Sequence, residues 1–112
     1  MMTLDEYQKS ALETYIGPLG RGRFIYGTMK LAGEAGEFNE KVGKIIRKRD
    51  LGFELTPEER AALAAELGDI LWYVAMVADY LGYSLQDIAV ANQVKLASRQ
   101  ARGVLEGSGD NR

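Results

Sequence analysis

Four acidic residues, Glu34, Glu37, Glu66 and Asp69, stand in two pairs, each with its members three residues apart. Two positions three apart on a helix lie on one face, so each pair offers its carboxylates in the same direction. Four carboxylates drawn together repel one another, which raises their pKa values and costs stability. A divalent cation converts that repulsion into a binding site. The chain has no Cys and no His, which removes thiolate and imidazole ligands, histidine general bases and serine–histidine triads. Any metal is therefore bound through oxygen, favouring Mg²⁺, Mn²⁺ or Ca²⁺ over zinc. Mg²⁺ retains several waters and so leaves positions for substrate phosphates. The plainer alternative is that these are solvent-facing acids on amphipathic helices.

The elements that position these residues are legible from caps and periodicity. Thr3 to Glu6 has the form of a capping box and opens a first helix to about Ile16, stopped by Gly17-Pro18. A Gly/Arg-rich loop, 17–23, leads into a second helix from about Phe24 to Arg49, and 50–55 reads as a turn. Thr56-Pro57-Glu58-Glu59 combines an N-cap, a proline at the first helical position and a capping-box glutamate. The third helix then runs to Leu81, with Gly82 as its C-terminal cap, and Ser84 caps a fourth to about Arg102. Nothing alternates with period two for long enough to be a strand. The fold class is all-α.

On the third helix Leu63, Leu67, Ile70, Val74, Val77 and Leu81 form an apolar stripe, with Glu66, Asp69 and Tyr73 along one flank. On the second the stripe is Leu31, Ala35, Phe38, Val42 and Ile45, and the matching flank carries Lys30, Glu34, Glu37 and Lys41. Packing stripe to stripe would make the two acidic pairs converge. Gly33, Gly36, Gly43 and Gly68 interrupt these helices, each at a cost of about 1 kcal/mol against alanine. They imply close helix packing, room for a ligand, or both.

With 112 residues the chain is expected to form one domain, 1–112, with an irregular tail from about 103. So small a domain buries a modest share of its surface, which makes association with a second copy a natural completion. A formal charge of −2 gives no sign of a nucleic-acid or membrane partner. The acidic N-terminus does not resemble a signal peptide, and no apolar run was expected to span a bilayer. A cytoplasmic protein is the default expectation.

The segment Leu31-Ala32-Gly33-Glu34-Ala35-Gly36-Glu37-Phe38-Asn39-Glu40-Lys41, followed by 66–73, closely resembles the MazG-like nucleotide pyrophosphohydrolases of the all-α NTP pyrophosphatase superfamily. Their pattern is Glu-Glu-x-x-Glu on one helix and Glu-x-x-Asp on the next. Gly33 stands where the fullest pattern has its first Glu, a departure that bears on a second metal. The resemblance implies a four-to-five-helix bundle completed as a dimer or dimer of dimers. It implies Mg²⁺, with Mn²⁺ as a possible substitute, on Glu34, Glu37, Glu66 and Asp69. It also implies hydrolysis of a nucleoside triphosphate to monophosphate and pyrophosphate, with the metal bridging phosphate oxygens and activating water. A ferritin-like di-iron bundle would need Glu-x-x-His pairs, which this chain lacks. A non-catalytic helical dimer binding a nucleotide or protein is the alternative function.

The remaining candidates are substrate contacts. Five basic residues fall between Lys41 and Arg49. Arg47 to Arg49 suit a helix C-terminus through its dipole, whereas Lys41 lies on the carboxylate flank. Asn92, Lys95 and Arg99 form one polar face of the fourth helix; the resemblance makes Asn92 and Lys95 phosphate or nucleotide contacts, with Arg99 a candidate on the same face, and a surface stripe is the alternative. Arg102 and Arg112 are further phosphate candidates. Trp72 and Tyr73, with Gln8 and Tyr7 from the first helix, are positioned either to flank a base or to pack in the core.

Overall fold

A computed structural model describes residues 1–49, 54–104, 106, 107 and 109. Residues 50–53 of the expected turn 50–55, and Arg112 with the other residues ending the tail, lie outside these. The described residues form four helices: α1 (Leu4–Glu13), α2 (Arg21–Lys48), α3 (Pro57–Tyr80) and α4 (Leu85–Ala101). Three of the four expected starts are capped as their residues require. The hydroxyl of Thr3 accepts from Glu6 N–H, that of Ser84 from Asp87 N–H, and Thr56 with Glu59 closes a full capping box. The second helix begins earlier than expected, behind Gly20, which has no side chain to cap it. The first ends earlier, at Thr14, whose hydroxyl donates to Ala11 O at 2.7 Å.

The C-terminus of α3 turns on Gly82, whose φ of +85° lies in the left-handed region that glycine enters without steric cost. Gly82 N–H donates to Asp79 O and Tyr83 N–H to Ala78 O, both at 2.9 Å. This pair of bonds is a Schellman motif. It folds the chain back so that Leu85 enters the core at the start of α4.

Helices α2 and α3 run antiparallel along each other. Arg23 pairs with Asp79 at 2.9 Å, Phe24 stacks on Tyr80, Tyr26 meets Tyr73, and Lys41 reaches Glu66. At the far end Arg49 grips Glu59 with two hydrogen bonds, 2.7 and 2.5 Å long. Among the glycines within helices, Gly27 comes close to a neighbouring helix, where an added Cβ would stand 3.1 Å from Val77. A Cβ at Gly33, Gly36, Gly43 or Gly68 would meet nothing within 4 Å. These four glycines therefore do not serve close packing within the chain, and the residue that does was not among those singled out.

The core lies at one end, where α1 and α4 close over α3. Ala11, Ala75, Met76, Ala78 and Leu85 are buried there, with Tyr7, Leu12, Tyr15, Trp72 and Val74 packed around them. The stripe expected on α3 is followed in part: Leu63 is buried and Ile70, Val74 and Val77 are half-buried, but Leu67 and Leu81 are exposed, and Glu66, Ala75 and Ala78 are buried beside it. The reason is the crossing with α2 and α1, which selects a face only partly shared with the one the largest side chains mark. Much apolar surface stays open, including Ile16, Leu19, Met29, Leu67, Leu71, Leu81 and Val94. The radius of gyration is 17.0 Å, against roughly 13 Å for a compact chain of this length.

By length and apolar composition α3 alone would pass as a membrane span, contrary to the expectation that no segment would. Glu66 and Asp69 lie at its middle, and Glu66 is turned into the contact with α2.

Candidate metal centre

Glu34 and Glu37 come from one turn of α2 and Glu66 from the facing turn of α3. One carboxylate oxygen of each lies within 4.8 Å of the others. Glu66 is only 8% exposed, whereas Glu37 faces solvent and Glu34 lies between. Glu34 Oε2 and Glu66 Oε2 are both buried and have no hydrogen-bond partner among the described residues. Buried acceptors are ordinarily satisfied, so two orphaned carboxylate oxygens in one cluster are sites for a cation. Burial pushes the Glu34 carboxyl above its usual range, and the charges of Glu37, Asp69 and Glu66 push it further against the pull of Lys30. This is the repulsion the spacing implies, now between named groups.

Asp69 was expected as the fourth member of that cluster. It lies one turn beyond Glu66, is exposed, and falls outside the group within 4.8 Å. Its charge nevertheless acts on the Glu34 carboxyl, raising that group's pKa. Asp69 does line the same cleft, together with Glu34, Trp72 and Tyr73, around a space of about 320 Å³.

The aromatic wall is braced from behind. Trp72 Nε1 donates to the Thr14 hydroxyl at 2.9 Å, its ring stacks on Tyr15, and Tyr73 meets it edge-on at 4.9 Å. The Tyr73 hydroxyl is pushed up to about 12, first by burial and then by its hydrogen bond with Tyr26. Tyr73 is therefore a neutral donor at ordinary pH. Sequence reading did not single out Thr14 or Tyr26. A signal existed for the latter, because Tyr26, Lys30 and Glu34 follow one another at four-residue steps along one flank.

Several expected substrate contacts are placed elsewhere. Gln8 is buried, with 7% of its surface exposed. Its amide donates to Ala75 O and Tyr83 O and accepts from Leu85 N–H. A side chain so engaged joins α1 to α3 and to the α3–α4 turn, and within this chain its amide is fully used there. Tyr7 is half-buried and packs on the core. Lys41 does lie at the acidic flank, but its ammonium holds Glu66 Oε1 at 2.5 Å. That hydrogen bond raises the Lys41 pKa.

Asn92 and Lys95 line a separate open groove with Leu81, Tyr83 and Ile88, away from the acidic cleft. Arg99 is buried at 4% exposure and donates to Gly109 O. Arg102 Nε donates to Ser98 Oγ. Within one chain α4 packs on α1, so its polar face does not converge on the carboxylates.

Comparison with known proteins assigns the sequence to a family. The MazG nucleotide pyrophosphohydrolase domain matches residues 28–104. The chain belongs to the MazG nucleotide pyrophosphohydrolase family. The matched span contains α3, α4 and all of α2 that bears the carboxylates. The MazG chain is 47% identical to the Gene 37 protein of Mycobacterium phage L5, covering 99% of this chain and 100% of that one. It is 31% identical to the uncharacterized protein YvdC of Bacillus subtilis (strain 168), covering 83% of this chain and 84% of that one. No solved structure gives a significant match. Membership makes this a hydrolase of the NTP pyrophosphatase kind with a metal-dependent family chemistry. The cluster of Glu34, Glu37 and Glu66 is the part of the chain suited to the metal.

Proposed function

We propose that the protein is a Mg²⁺-dependent nucleoside triphosphate pyrophosphohydrolase, converting an NTP or dNTP and water to the monophosphate and pyrophosphate. The observation that carries this reading is the pair of buried, unpartnered oxygens, Glu34 Oε2 and Glu66 Oε2, in one carboxylate cluster. Glu34, Glu37 and Glu66 would hold the cation, with Asp69 on the adjoining cleft wall as the fourth acidic group. When bound, the cation neutralises phosphate oxygens and makes water a better nucleophile at neutral pH.

The chain's own residues supply positioning, which phosphoryl-type hydrolysis needs more than covalent catalysis. Trp72 and Tyr73 form the wall on which a base would lie, with Trp72 fixed by Thr14 and Tyr15. Asp69, exposed beside the cluster, would orient the attacking water or take its proton. Water attacks the α-phosphorus, the α–β anhydride bond breaks, and pyrophosphate leaves with the electron pair.

A homodimer, or a dimer of dimers, is part of the same proposal. The exposed apolar side chains and the extended shape support it, and a second copy would bring further side chains to the open side of the cleft. Asn92, Lys95, Arg99 and Arg102 remain proposed phosphate contacts only in such an assembly, and the protein would act in the cytoplasm on the nucleotide pool.

The test is incubation with each common NTP and dNTP, in Mg²⁺ and then in EDTA, with products resolved as mono- or diphosphate. Mg²⁺-dependent monophosphate and pyrophosphate are expected. Glu37→Gln should abolish turnover with the helical circular-dichroism spectrum unchanged. No turnover of any nucleotide would favour the binding module instead, and full activity in Glu37→Gln would remove the metal site from these residues.

A further inference from the structure

Lys41 is the cation in hydrogen-bond contact with the carboxylate cluster, and its position is more specific than general attraction of a polyphosphate requires. Its ammonium crosses from α2 to α3 and bonds Oε1 of Glu66, the most buried of the clustered acids. Oε2 of the same carboxylate is left buried and without a partner. Glu66 has no other hydrogen-bond donor among the described contacts, so Lys41 is what sets the rotation of the carboxylate group.

We propose that Lys41 is a positioning residue, holding Oε1 of Glu66 so that Oε2 is presented to a divalent cation. The inference rests on the metal reading above and assigns Lys41 to the metal ligand and not to the substrate. Donors behind a coordinating carboxylate fix its orientation, and removing them commonly costs 10- to 100-fold in metal affinity. Charge balance agrees with Lys41 staying in place when the cation binds. Glu34, Glu37, Glu66 and Asp69 carry four negative charges when ionised. Lys30 and Lys41, both acting on the cluster, offset two of them, and a divalent cation offsets the rest.

The sign of the effect separates this role from electrostatics alone. Removing a nearby positive charge should by Coulomb's law tighten cation binding. Removing a positioning group should weaken it. The experiment is calorimetric titration of the nucleotide-free full chain with Mn²⁺, comparing wild type with K41M, K41R and E66Q. K41M is expected to bind Mn²⁺ about 10- to 100-fold more weakly, and K41R to return most of the affinity, since it restores a donor to Oε1.

Unchanged or tighter binding in K41M would overturn the proposal. If E66Q loses the metal while K41M keeps it, the metal reading stands and the role of Lys41 falls. If wild type binds no Mn²⁺, both fall. Should K41M lose its helical spectrum, K41L provides a second neutral variant that also lacks a donor, with the same expected direction.

Discussion

Residue chemistry at the two ends of α1 and α3 divides the polar side chains into those that hold the fold and those open to a ligand. Gln8 is of the first kind, because all three of its hydrogen bonds go to backbone groups, Ala75 O within α3 and Tyr83 O and Leu85 N–H at the α3–α4 turn. Truncation leaves Leu85 N–H buried without that acceptor, and unsatisfied buried groups are costly. Gln8→Ala is expected to lower stability by about 2 to 3 kcal/mol in urea unfolding, with Mn²⁺ affinity unchanged. A raised KM for nucleotide at wild-type stability would return Gln8 to the substrate. Trp72 stands between the two kinds, bonded to Thr14 on one side and lining the cleft on the other. Asn92 and Lys95 are of neither kind within one chain. Their i, i+3 spacing was visible in the sequence, but the groove they face was not, since it depends on how α4 leaves Gly82.

At the scale of elements, the start of α3 is the most completely specified local structure in the chain. Thr56 and Glu59 satisfy each other's backbone N–H groups, and Arg49 from the end of α2 clasps Glu59. Thr56→Ala should cost about 1 kcal/mol of unfolding free energy. Arg49, and then the Thr56 backbone, lower the Glu59 carboxyl from its ordinary 4.5 to about 2. A depressed folded-state value means the contribution is fully present above the unfolded value and disappears as pH falls toward about 2. The stability gap between wild type and Glu59→Gln should therefore be constant above about pH 5 and narrow between there and pH 2, as read by thermal unfolding across that range. Gly43 offers the opposite change. Open space surrounds the position where its Cβ would lie, so Gly43→Ala should stabilise α2 by up to about 1 kcal/mol.

For the whole molecule, the extended shape and exposed apolar residues are one observation seen twice. Helices α2 and α3 pack along each other, but only one end is covered by α1 and α4, so a large share of the chain's apolar surface has no partner within it. The proposed dimer is tested by light scattering after gel filtration, where twice the mass of the chain is expected. Val94 is 64% exposed on α4, and Val94→Glu should shift the population toward the single chain if that face is covered by a second copy. An unfolding midpoint that rises with protein concentration would agree; a concentration-independent midpoint at the mass of one chain would remove the dimer.

Helix number, order and caps were determined by the sequence itself, because capping and periodicity are local. Thr3, Thr56 and Ser84 act within three residues of where they stand, and Gly82 acts through its own φ. The clustering of Glu34, Glu37 and Glu66 was also legible, since helical spacing fixes angular positions and two matching flanks can meet. What only the tertiary structure decided is which candidate reached what. The pairing of Lys41 with Glu66, the burial of Gln8 and the exposure of Leu67 and Leu81 on the α3 stripe all follow from how α2 and α1 cross α3. Crossing angles depend on packing across long stretches of chain, as at Gly27 against Val77, and no spacing along one helix encodes them.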